Sequence, residues 1–143
     1  MPQLPKRANA RFTIRSWEEN PYDEGEGLPR LTRASVSKSY SGDIEGEGIV
    51  EYLMMYRSDG TAAFVGLERF TGRIGDRSGT FVLQRTGVYE GEQAKESYSV
   101  ISGSATGQLT GLRGEGSSAV GHSGEHPFTL DYEFAGDAPA HRA

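Results

Sequence analysis

The chain has 143 residues, enough for one domain with a real core, and a formal net charge of −5, which offers nucleic acid no electrostatic footprint. It has no Cys, which excludes disulfides, thiolate chemistry and Cys-based metal sites. No apolar run approaches the ~18 residues of a membrane span, and the opening MPQLPKRANARF lacks the apolar stretch of a signal peptide, so the expectation is a soluble cytoplasmic protein.

The 20 Gly, with 7 Tyr, 6 Phe and few helix-like runs, suit an all-β protein with many tight turns. Residues 1–10 hold two Pro among polar residues and read as a flexible arm. RFTIRSWEE (11–19) reads as a first strand, with Phe12, Ile14 and Ser16 on one face and Thr13, Arg15 and Trp17 on the other. NPYDEGEGLPR (20–30) is a turn-rich acidic loop. Leu31 to Tyr40 alternates weakly, Leu31, Arg33 and Ser35 against Thr32, Ala34 and Val36, as a second strand. IVEYLMMYR (49–57) is a third, apolar on both faces except for Glu51, and Asp59-Gly60 is a hairpin signal after it.

Thr61 to Tyr89 reads as the central hairpin. Ala62, Phe64, Gly66, Glu68 and Phe70 share one face of its first strand, and Phe81 and Leu83 oppose Val82 and Gln84 on its second. AKESYSVI (94–101) is a further strand, 108–116 a Gly-rich one, and 117–127 a polar loop holding His122 and His126. FTLDYEF (128–134) alternates cleanly, with Phe128, Leu130, Tyr132 and Phe134 inward. Residues 135–143 read as a flexible tail. The expected fold is therefore all-β, a single closed antiparallel barrel of about eight strands over residues 11–134, with an open sandwich as the alternative.

Ser41-Gly42-Asp43-Ile44, Thr71-Gly72-Arg73-Ile74 and Thr106-Gly107-Gln108-Leu109 share the pattern Ser/Thr-Gly-polar-Ile/Leu, consistent with repeated hairpin geometry. The blocks Gly66-Leu67-Glu68-Arg69-Phe70, Arg77 to Gln84, Gly103 to Gly116, Ser41-Gly42-Asp43 and Leu130-Asp131-Tyr132 resemble, in order, the signature blocks of the bacterial DUF3224 proteins. The likeness runs from about Phe12 to Phe134. It implies one small barrel similar to allene oxide cyclase-like and streptavidin-like barrels, often in an oligomer. The family is defined by unknown function, so it supplies no catalytic residue. Ala105 stands where the family usually has the middle Gly of a Gly-Ser-Gly-Thr-Gly run, a change that stiffens a turn.

Glu68, on the face of Phe64 and Phe70, is the candidate catalytic residue: a carboxyl in an apolar interior has a raised pKa and can act as general acid or base. The competing readings are an ion pair with an interior Arg, or a solvated position on the outer face. Glu51 would face inward if Ile49, Leu53 and Met55 did, and is otherwise a rim residue. Gln84, Arg113, Tyr52, Tyr56, Tyr98, Tyr132 and Phe64 are candidates for binding a substrate, with solvation or core packing as the alternative for each. His122 and His126, with Glu125 nearby, are too loosely placed for a metal site, and no cofactor motif is present. The functional expectation is a pocket for a small, largely apolar molecule, serving a cofactor-independent cyclase or isomerase. The alternatives are a lipocalin-like carrier and a packed oligomeric barrel without ligand. The expected partners are a small apolar molecule and further copies of the chain.

Overall fold

The computed structural model describes residues 6–121 and 125–135. Nine strands follow in chain order: β1 Lys6–Asp23, β2 Arg30–Gly42, β3 Ile44–Tyr56, β4 Ala62–Ile74, β5 Arg77–Glu90, β6 Gln93–Val100, β7 Thr106–Gly107, β8 Leu112–Val120 and β9 Glu125–Phe134. Eight of them, all but the two-residue β7, pair antiparallel in the ring β1-β2-β3-β4-β5-β6-β8-β9, and β1–β9 pairing closes it. Closure gives each of these eight strands a partner on both sides, while residues 14–23 of β1 run on paired with β2 alone among the described residues. The β4–β5 hairpin is in register from Ala62↔Tyr89 to Ile74↔Arg77 and turns through Gly75-Asp76.

Alternation decides which side chains fill the barrel. On β2, Thr32, Ala34, Val36, Lys38 and Tyr40 are all buried, and the residues between them face out. On β4 the buried set is Ala62, Phe64, Glu68, Phe70 and Ile74, and on β5 it is Phe81, Leu83 and Arg85. Strand β3 decides between the two readings of Glu51. Its inner residues are Ile44, Val50, Tyr52 and Met54, so Ile49, Glu51 and Leu53 lie outside. The short period of a strand makes this an all-or-none choice: once Tyr52 is in, Glu51 is out.

Strand β1 carries a bulge. The register passes from Ile14↔Lys38 to Ser16↔Ser37, leaving Arg15 as the extra residue. A bulge advances the phase by one. Trp17, placed by strict alternation opposite Phe12, therefore comes to the same side of the sheet as Phe12 and Ile14. It sits across from inward-facing Val36.

Other boundaries also differ from the sequence reading. The arm is strand from Lys6, because Lys6 to Thr13 pairs with β9. The loop expected from Asn20 starts four residues later, after Asp23. Ser117 to Val120 continue β8, and Glu125 to Pro127 begin β9. The Gly-rich strand expected over 108–116 is a turn followed by a strand from Leu112. His122, residues 1–5 and residues 136–143 lie outside the described residues.

The interior has two apolar clusters. One gathers Phe12, Tyr40, Ile44, Phe70, Ile74, Phe81, Leu83, Leu109, Phe128 and Leu130, among others, at one end. The three residues that end the repeated turn pattern, Ile44, Ile74 and Leu109, all enter this cluster. The second holds Ala34, Val36, Val50, Tyr52, Met54 and Phe64. Full burial of each large apolar side chain contributes roughly 1.5–3 kcal/mol before conformational entropy is set against it. On β2, Lys38 lies between Val36 of one cluster and Tyr40 of the other, and on β4, Glu68 lies between Phe64 and Phe70. The two clusters therefore meet at a polar layer.

Candidate functional site

The polar layer is a closed network of charges. Glu68 is fully buried, with 0% exposure. Arg85 Nε donates to its Oε1 at 2.6 Å, and the Tyr40 hydroxyl donates to its Oε2 at 2.7 Å. Lys38 Nζ stands 3.7 Å from the same Oε1, and Arg85 also reaches Tyr40 Oη and Glu96 Oε1. The Tyr52 hydroxyl donates to Glu96 Oε2 at 2.9 Å. Two carboxylates thus face two cations, and every carboxylate oxygen of Glu68 has a partner, which is what makes burial of these charges tolerable. Gly48 makes room for them. A Cβ there would lie 2.0 Å from Glu68 Oε2, so any larger residue would collide with the carboxylate.

These surroundings set the protonation states. Burial alone would raise the Glu68 carboxyl, but the charges of Arg85 and Lys38 and the hydrogen bonds from Tyr40 and Arg85 outweigh it and hold it below the ordinary range. The raised pKa expected from an apolar surrounding is therefore corrected: an interior Arg, not desolvation, decides. Burial, reinforced by the neighbouring Arg85 charge, pulls the Lys38 ammonium down to about 8 against the opposing Glu68 and Glu96. Burial and the Glu68 charge push Tyr40 well up, so its hydroxyl stays a donor.

Beside this layer the barrel opens into a cavity of about 330 Å³. Its walls are mainly Phe12, Ile14, Trp17, Tyr52, Met54, Tyr56, Phe64 and Tyr89, and its polar groups are Lys38, Glu96 and His126. Lys38 Nζ stands 4.6 Å from the Phe12 ring centre and 5.8 Å from that of Tyr52. The mouth is pinned by Glu19, which accepts from Trp17 Nε1 at 2.9 Å, Thr32 Oγ1 at 2.6 Å and the Tyr56 hydroxyl. Trp17 stacks at 6.4 Å from Tyr52 and is 45% exposed, as a rim residue should be. His126 is buried against Phe12, and its Nδ1 has no hydrogen-bond partner among the described residues. Burial and the Lys38 charge lower its pKa, which keeps the imidazole neutral at pH 7. Among the described residues no group of three or more His, Asp or Glu is placed to hold a metal ion, and no helix is long and apolar enough to cross a membrane.

The family model described as a protein of unknown function (DUF3224) matches residues 8–132. The chain belongs to the DUF3224 family. A crystal structure of a DUF3224 protein of unknown function from Shewanella oneidensis MR-1 superposes with a TM-score of 0.75 at 26% identity, covering 91% of this chain and 97% of that one. The chain matches no curated protein.

On this DUF3224 barrel, Tyr52, Tyr56 and Phe64 line the cavity together, as three of the residues singled out from sequence. Glu68 points inward but sits behind Lys38 and Arg85 and does not line it. Five other candidates are elsewhere. Glu51 is on the outer face, bound by Ser35 and Arg33. Gln84 is also outside, in a polar groove with Thr86, Ser97 and Ser99, because it alternates with inward Leu83 and Arg85. Arg113 is exposed opposite Glu133, one step out of phase with buried Leu112. Tyr98 is buried, but its hydroxyl is taken by the Thr129 carbonyl at 2.7 Å and its ring lies under Arg85. Tyr132 packs against the other apolar cluster, with its ring 5.9 Å from Phe134.

The residues that sequence reasoning passed over are Lys38, Arg85, Glu96, Tyr40 and Trp17, and it weighed His126 only as a metal ligand. Phase was the available signal for most of them. Lys38 continues the inner series Thr32, Ala34, Val36, and Arg85 continues Phe81, Leu83. Glu96 shares its phase with Tyr98, and His126 with Phe128 and Leu130. Trp17 had no such signal, since a bulge cannot be read from alternation alone.

Proposed function

We propose that this protein binds a small, largely apolar molecule in the cavity beside the Lys38–Glu68 layer. The observation that carries the reading is the division of the interior: one end is densely packed, and the other holds a space walled by aromatic rings with a few convergent polar groups. The volume is at the low end of ligand pockets, which run from about 300 Å³, and suits a mono- or bicyclic compound or a short acyl chain. Rings such as Trp17, Tyr52 and Phe64 supply apolar contact, and Lys38, Glu96 and His126 would orient a polar end.

Binding without turnover is the better supported version. A cyclase or isomerase using Glu68 as its acid or base needs a carboxyl that reaches substrate, whereas both oxygens of Glu68 are engaged by Arg85 and Tyr40. The reading also includes self-association through the outer face of β3 and β4, where Ile49, Leu53, Val65 and Leu67 are each about half exposed or more. Light scattering at high concentration checks this, and a monomer would remove it.

The main test uses the single Trp of the chain, Trp17, which stands at the cavity mouth. Titration with a naphthalene-based probe should change its emission saturably, and Ala94→Phe, which adds a ring to the cavity wall, should abolish the change. An emission change that does not saturate, or one that survives Ala94→Phe, would refute the reading.

A further inference from the structure

We propose that Lys38 captures small apolar aldehydes or ketones as a reversible imine within the cavity, which names the ligand class for the binding reading above and rests on it. The chain has three lysines. Lys6 is exposed, and Lys95 is exposed and paired with Glu90 at 3.6 Å. Lys38 alone is buried and lines a cavity.

Its position suits a nucleophile better than a structural cation. The direct hydrogen bond to Glu68 Oε1 belongs to Arg85 at 2.6 Å, and Lys38 Nζ stays at 3.7 Å, so Glu68 would keep a cation if the amine lost its charge. The amine lies between the Phe12 and Tyr52 rings, in surroundings that favour its neutral form, and an apolar carbonyl compound would be held against the same rings. The groups facing it come from six strands: Tyr40 on its own β2, Tyr52 on β3, Glu68 on β4, Arg85 on β5, Glu96 on β6 and His126 on β9. With the ammonium ionising at about 8, about a tenth of the molecules carry the free amine at pH 7.

The chemistry balances without an oxidant or reductant. The neutral amine nitrogen attacks the carbonyl carbon, forming the C–N bond while the C=O π pair moves to oxygen. The nitrogen gives up one proton and the oxygen gains one. The C–O bond then breaks, the oxygen leaves as water with a second proton from nitrogen, and the nitrogen pair closes C=N. His126 and Glu96 line the same cavity and would relay these protons.

The test incubates the full chain with cinnamaldehyde and sodium cyanoborohydride, which reduces the imine to a stable amine, followed by intact mass and peptide mapping. Trp17 emission is titrated in parallel with cinnamaldehyde and with cinnamyl alcohol. The expected result is one adduct per chain, on Lys38, formed at least tenfold faster than at Lys6 or Lys95, with a pH midpoint near 8. Lys38→Arg, which keeps a cation but cannot condense, should lose the adduct. Saturable binding of the alcohol with no Lys38 adduct would overturn the imine and leave the cavity reading standing. Labelling spread evenly over the three lysines would also overturn it, and no saturable binding of either compound would overturn both readings.

Discussion

Glu68→Gln is the most informative single change, because it tests whether the interior charges stabilise the barrel as a set. In the wild-type protein Glu68 faces Arg85 at 2.6 Å and Lys38 at 3.7 Å with no exposure to water. A unit charge pair about 4 Å apart is worth about 4 kcal/mol at an effective dielectric of ~20, largely offset by the cost of dehydrating both groups. Replacing the carboxylate by an amide leaves that cost in place for Arg85 and Lys38, with only Glu96 to face two cations. Loss of one partner from a buried pair costs about 3–5 kcal/mol. At about 2–4 °C per kcal/mol for a chain near this size, the melting temperature should fall by about 10 °C. Urea unfolding followed by circular dichroism measures the loss. The double variant Glu68→Gln/Arg85→Met restores charge balance between Lys38 and Glu96, and should recover part of the stability lost in the single variant. A single variant within about 1 kcal/mol of wild type, or a double variant no better than the single, would refute the argument that the layer is held together by mutual compensation.

The remaining predictions use the same geometry. Gly48→Ala should cost about 1–3 kcal/mol or more in urea unfolding, since its Cβ would stand 2.0 Å from Glu68 Oε2; wild-type stability would mean the carboxylate moves freely. For Lys38, the folded pKa of about 8 lies below the unfolded 10.5, so between those values the unfolded chain binds the extra proton and stability rises with pH. The gain is at most about 3 kcal/mol and is cut short above pH ~10, where the raised pKa values of Tyr40 and Tyr52 take stability away as the unfolded chain ionises. Lys38→Met should lack the rise, and superimposable pH curves for the two proteins would contradict it. The acid side belongs to Glu68: its folded pKa is depressed below 4.5, so its contribution is present above that value and lost as pH falls below it, a loss that Glu68→Gln should not show. Glu51→Gln, in contrast, should change stability by less than about 1 kcal/mol, because its pairing with Arg33 is at the surface.

Strand count, closure and the central hairpin were legible from residues 11–134 because Gly-rich turns and period-two alternation are local signals. The inward turn of Phe128 and Leu130 was legible for the same reason, whereas alternation grouped Phe64 with Glu68 and Phe81 with Leu83 without choosing their face. Sequence also supplied the family, through ordered blocks spread over most of the chain. It could not choose a face for β3, where Ile49, Glu51 and Leu53 are as strand-like as Val50, Tyr52 and Met54; only pairing with β2 and β4 made that choice. Nor could it show the bulge at Arg15 that swings Trp17 to the cavity mouth, since a bulge is a relation between two strands. The charge state of Glu68 was beyond it as well. A carboxylate's pKa depends on charges within a few ångströms, and Arg85 and Lys38 reach Glu68 from strands 17 and 30 residues away in sequence. Local order was written in the chain, whereas the cavity and its chemistry arise from contacts between distant residues that only barrel closure brings together.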